Sequence, residues 1–129
     1  MKLLQFTSLL FATVTIHAFY VQNIIYHNLS LLITVLSILT HGYNLEINNY
    51  IKRIDKLIAH FTYFYIVCYD TPIIIKIQPL IIVCPLLLFY IWILEYICPN
   101  KFILLHAIFH LSSITSLHFY LYYISLINN

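Results

Sequence analysis

Two histidines four residues apart, His106 and His110, stand in the apolar stretch Leu104-Leu105-His106-Ala107-Ile108-Phe109-His110-Leu111. On a helix this spacing puts both imidazoles on one face, about 5–6 Å apart at Cβ. Ionisable side chains are costly inside a membrane helix and are candidate functional groups there by default. Ser37 and His41 repeat the four-residue spacing, and Asp55 follows them. Three imidazoles with an open fourth position form a catalytic zinc arrangement, in which a bound water has its pKa lowered to about 7. Asp55 could orient one of those imidazoles or accept the water's proton. Ser37 could hydrogen-bond the water or a polarised carbonyl. A haem held axially by His41 with His106 or His110 is the alternative metal centre, suited to an electron carrier. It leaves the third histidine and the acid without a role. A third reading has no chemistry: the histidines bond neighbouring helices, Asp55 pairs with Lys52, Arg53 or Lys56, and the protein is a small structural or interaction membrane protein.

These residues are carried by a chain of 129 residues, 63% hydrophobic and 8% charged, with a mean hydropathy of +0.94. Soluble domains are about 45–50% apolar, so this chain cannot cover itself with polar surface in water. It reads as an integral, multi-pass membrane protein whose first partner is the lipid bilayer. A membrane helix needs about 20 apolar residues, and the apolar runs here are continuous rather than alternating as barrel strands would be. The expected fold is an all-α transmembrane bundle of about five helices in one domain, 1–129. A net charge of +2 with no basic patch excludes a nucleic-acid partner. Cys68, Cys84 and Cys98, three in number and widely spaced, form neither a disulfide framework nor a CxxC metal motif.

Helices are expected near 3–20, 24–41, 51–69, 73–97 and 102–127. Gly42 is read as the cap that ends the second. Asp70-Thr71-Pro72 reads as a turn opening the fourth helix. The 73–97 segment is long for one crossing and short for two; Pro79 and Pro85 suggest one kinked helix.

Five crossings fix which ends lie together. Lys2, Lys52, Arg53, Lys56 and Lys101 fall on one side and Lys76 on the other, so the first side is expected to be cytosolic, with the N-terminus there. His41, Asp55, His106 and His110 then stand at similar depth near that side, with Ser37 one turn deeper. A double crossing in 73–97 would send the HxxxH pair to the far leaflet.

The segments Ser37-Ile38-Leu39-Thr40-His41, Asp55 and His106-Ala107-Ile108-Phe109-His110 resemble the SxxxH…D…HxxxH signature. That signature belongs to the superfamily of alkaline ceramidases, progestin and adiponectin receptors and haemolysin III-like proteins. The resemblance implies zinc held by His41, His106 and His110 near the cytosolic leaflet. It also implies Ser37 and Asp55 as catalytic helpers and hydrolysis of a lipid amide substrate. It covers five motif residues on three helices. The family has seven helices; here one stands where the family has three, which preserves the parity of crossings.

Among the remaining polar residues, His60 lies five after Asp55 and could be an alternative ligand or a donor to one of the ligand rings. Glu95, near the cytosolic end of the fourth helix, could join the site or snorkel to the interface. His17, His27 and His118 belong to the other half of the bilayer as packing or interfacial residues.

Overall fold

The computed structural model describes residues 2–42 and 48–128. The polar loop 43–47 with Glu46 lies outside the described residues, as do the side chains of Lys2, Asn48 and Asn49. Every regular element described is helical: α1 (Lys2–Tyr20), α2 (Ile24–Gly42), α3 (Asn48–Tyr65), α4 (Thr71–Ile74), α5 (Val83–Ile97) and α6 (Phe102–Asn128). Five segments are long and apolar enough to cross a membrane: Leu3–Tyr20, Ile24–Gly42, Tyr50–Ile74, Pro79–Ile97 and Pro99–Asn128. Their outer faces carry large apolar side chains such as Phe6, Phe19, Leu57, Leu86 and Phe119. A patch of that extent demands lipid rather than water around it. The chain is an all-α, five-span membrane bundle.

The third and fourth spans divide differently from the sequence expectation. Helix α3 continues through a π-helical turn, Ile66–Asp70, into α4, so Pro72 lies inside the third span. The wider turn makes this tolerable: the Thr71 N–H reaches back to Ile66 O, which loosens the ladder where proline lacks a donor. The break comes instead at Gln78, whose backbone is extended (φ −132°, ψ 90°) ahead of Pro79, the conformation favoured for a residue before proline. Pro85 falls in the first turn of α5, where a missing N–H costs little. The 73–97 stretch therefore contributes one crossing. Gly42 is the last residue of α2 and has no positive φ, so it is not itself a left-handed cap. The first turn, Val21–Asn23, needs Gln22 at φ 55°, and Asn23 caps α2 by accepting the Tyr26 N–H at 3.1 Å, as N-cap residues do.

Helix α1 sits between α2 and α6, α3 packs on α2, and α5 packs on α6. The Tyr63 hydroxyl donates to Pro85 O at 3.2 Å and the His60 ring meets Trp92, so α3 and α5 close the ring. The core runs along this ring through Phe11, Val14 and Ala18 of α1, Ile33 of α2 and Ile114, Leu117 and Leu121 of α6. With one glycine in the chain, close helix approach falls to other small residues. Thr7, Ser8, Ala18, Ser30 and Ser37 are all buried at helix contacts.

Candidate metal centre

The three histidines of the sequence motif come together. His41 ends α2, His106 and His110 occupy the second and third turns of α6, and one nitrogen from each lies within 4.8 Å of the others. Ring centroids are 5.2 Å apart for His41–His106, 5.6 Å for His41–His110 and 4.6 Å for His106–His110. Tetrahedral zinc with bonds of about 2.0–2.1 Å needs nitrogens about 3.4 Å apart, so ligation asks for a modest closing of the three side chains. His110 is buried, while His41 and His106 are partly so.

Hydrogen bonding decides which nitrogens face inward. The Thr7 hydroxyl donates to Leu4 O at 3.1 Å, so its oxygen accepts from His110 Nδ1–H at 3.0 Å. His106 Nδ1–H donates to Glu95 Oε1 at 3.0 Å. Both imidazoles are thereby assigned the tautomer that leaves Nε2 with a free lone pair. His41 Nε2 is buried without a hydrogen-bond partner. Buried polar atoms are nearly always bonded, and an unpartnered imidazole nitrogen beside two other imidazoles is what a cation would satisfy. Outer hydrogen bonds from the ligand rings to a hydroxyl and a carboxylate complete the pattern of a metal site. The donor set and its surroundings therefore fit zinc.

Asp55 is partly buried on α3, close to Thr40 and within electrostatic reach of His106. It borders the cluster without belonging to the three-nitrogen group. Ser37 is buried one turn below His41, and its bond goes sideways: Ser8 donates to Leu4 O at 2.6 Å, and Ser37 donates to Ser8 Oγ at 2.8 Å. This joins α1 to α2 under the histidines. His60, the alternative ligand, is exposed, bonds Lys56 O of its own helix at 2.5 Å and faces Trp92. His17 and His118 form a pair at 2.8 Å between α1 and α6, with Thr13 on the far nitrogen of His118. They connect helices, in line with a packing role.

Two groups at the site had little or no signal in the motif. Glu95 could be placed by counting: it lies three residues from the end of α5, and His106 lies in the second turn of α6 across a short Pro99–Lys101 turn. Antiparallel neighbours at such spacing share depth. Thr7 comes from α1, which contributes no motif residue; a Thr-Ser pair in an apolar first helix was the available hint. A cavity of about 440 Å³ lies at the same end, between Leu3 and the Pro99–Leu104 segment. Its wall includes Phe102, which stacks on His106 with centroids 5.0 Å apart.

Compared with protein-family models, with curated proteins and with solved structures, the chain matches none.

Proposed function

We propose that this is a membrane zinc protein whose three-histidine centre serves the hydrolysis of a lipid amide, as in the ceramidase and adiponectin-receptor superfamily that its motif resembles. The observation that carries the reading is the convergence of three imidazoles whose outer nitrogens are tethered or whose inner nitrogen is orphaned. His41, His106 and His110 hold the metal through Nε2. Zinc supplies a Lewis acid for a carbonyl and activates water near neutral pH. Glu95 and Thr7 fix the rings of His106 and His110. Asp55, bordering the cluster beside Thr40, is the carboxylate available to take a proton. Ser37 sets the spacing of α1 and α2 below the site. The cavity beside Phe102 offers an apolar place for an acyl chain. Five of the six basic residues flank this end, which puts the site near the cytosolic leaflet by the positive-inside rule.

Haem is the second metal reading and accounts for fewer of the residues. As axial ligands it would use two of the three imidazoles and leave the third histidine and Asp55 without a role.

The test is the purified protein reconstituted into vesicles containing a ceramide, with release of free fatty acid followed by mass spectrometry. Zinc-dependent release that disappears in the His106→Ala/His110→Ala variant is expected. Stoichiometric zinc with no release from short- or long-chain amides would remove the hydrolase assignment and leave a metal-binding protein.

A further inference from the structure

The end of the bundle opposite the histidines contains a second polar site, and nothing in the zinc reading uses it. Asp70 closes the π-helical turn of the third span and is 7% exposed. The Tyr26 hydroxyl donates to its Oδ2 at 2.6 Å, and among the described residues this is the one hydrogen bond to the carboxylate. Among the described residues the only ion pair is Glu95–His106, so Asp70 has no basic partner, and Lys76 nearby is exposed. A buried carboxylate in a membrane protein ordinarily pairs with a cation or a proton source. Here it borders a cavity of about 230 Å³ walled by Asn23, Tyr65, Ile74, Ile127 and Asn128 as well as Asp70 itself.

The shape and lining of that cavity select among cations. A bare hard cation takes six or more oxygens at 2.0–2.6 Å, whereas this wall offers one carboxylate, two amides and a phenol. The Asn23 amide oxygen is already engaged by the Tyr26 N–H. The volume is several times the roughly 30 Å³ share of a water molecule, which suits a small organic group. Tyr65 adds an aromatic wall: its ring meets Tyr26 edge-on at 6.4 Å and stacks on Tyr69 at 5.5 Å. Carboxylate plus tyrosine faces is the chemistry that recognises an organic ammonium.

We infer that this cavity binds an organic ammonium group, with Asp70 as counter-ion and Tyr65 as the aromatic face. Because the cavity lies among helix ends, at Asn23, Ile74 and Asn128, the ammonium can belong to a lipid head group or to a free amine. The inference stands apart from the zinc reading, since its residues lie at the other end of the bundle.

The experiment uses the full chain in nanodiscs. Free ethanolamine is titrated by calorimetry in phosphatidylglycerol discs, and retention of phosphatidylethanolamine over phosphatidylglycerol is measured by native mass spectrometry. Saturable binding of ethanolamine identifies a free-amine site; selective retention of phosphatidylethanolamine identifies a head-group site. Either is expected to weaken at least tenfold in Asp70→Asn. Ile127→Trp, which fills the cavity from its exposed rim and leaves the carboxylate in place, is expected to block the same binding. That variant decides the matter if Asp70→Asn does not fold. Binding unchanged in both variants, or no selective binding of either probe by the wild-type protein, overturns the inference.

Discussion

The two ends of this bundle treat buried polar groups in opposite ways. At the end away from the histidines, donors and acceptors are matched across helices. The Tyr26 hydroxyl goes to Asp70, and Thr71 donates to Ile66 O at 2.9 Å, so the Tyr120 hydroxyl donates to Thr71 at 2.6 Å. These bonds clamp α2, the third span and α6 together, and apart from the cavity side of Asp70 little is left over. At the histidine end, hydrogen bonds take Nδ1 of His106 and of His110, and His41 Nε2 beside them is left without a partner. Mutual pairing is the mark of a structural clamp. Three converging imidazoles with an unpartnered nitrogen are the arrangement on which the proposed metal site rests.

Substitutions sharpen this contrast, and the effects should descend in a definite order. Removing two ligands in His106→Ala/His110→Ala should abolish zinc binding, because one remaining imidazole cannot hold the ion. Next comes Glu95→Gln, which keeps the side-chain shape and weakens the hydrogen bond that fixes His106. Loss of such an outer partner costs about 10–100-fold in metal affinity, measurable by competition with a fluorescent chelator, while thermal stability of the metal-free protein should change little. Acidification should act in the same direction, since imidazole must be neutral to ligate; zinc affinity is expected to fall as pH falls, with proton release on binding visible by calorimetry. At the clamp end the readout moves from affinity to stability. Tyr26→Phe leaves a buried carboxylate without its donor and should cost about 1–3 kcal/mol in a reversible detergent unfolding assay, with zinc affinity unchanged. Tyr120→Phe should cost less, about 0.6 kcal/mol, the average for an interhelical hydrogen bond in a membrane, because Thr71 keeps its bond to Ile66 O. A zinc-binding defect in Tyr26→Phe as large as that in Glu95→Gln would erase the contrast between the two ends.

Much of this was legible in the chain itself. Continuous apolar runs identified the helices, since hydropathy over a span length is decided by the bilayer and not by tertiary detail. Counting crossings put His41 and His106 at one end, because parity depends only on how many times the chain crosses. The boundary between the third and fourth spans was not legible: Pro72 signals a helix start locally, and a π-helical turn that accommodates a mid-helix proline leaves no separate mark in the sequence. Glu95 could be seen near the site, but its bond to His106 depends on the rotation of α5 against α6. Thr7 was hinted at only by the Thr-Ser pair in the first helix, as its role rests on α1 lying between α2 and α6. Ser37 shows the limit of motif reading: spacing placed it under His41, and side-chain direction gave it to Ser8.

The central claim is that His41, His106 and His110 form one metal site. Zinc content of the purified full-length chain, measured by inductively coupled plasma mass spectrometry after zinc loading and exhaustive dialysis, tests it most directly. About one zinc per chain in the wild-type protein and none retained by His106→Ala/His110→Ala is the predicted result. A wild-type protein that retains no zinc, or a double variant that retains as much as the wild type, would contradict it.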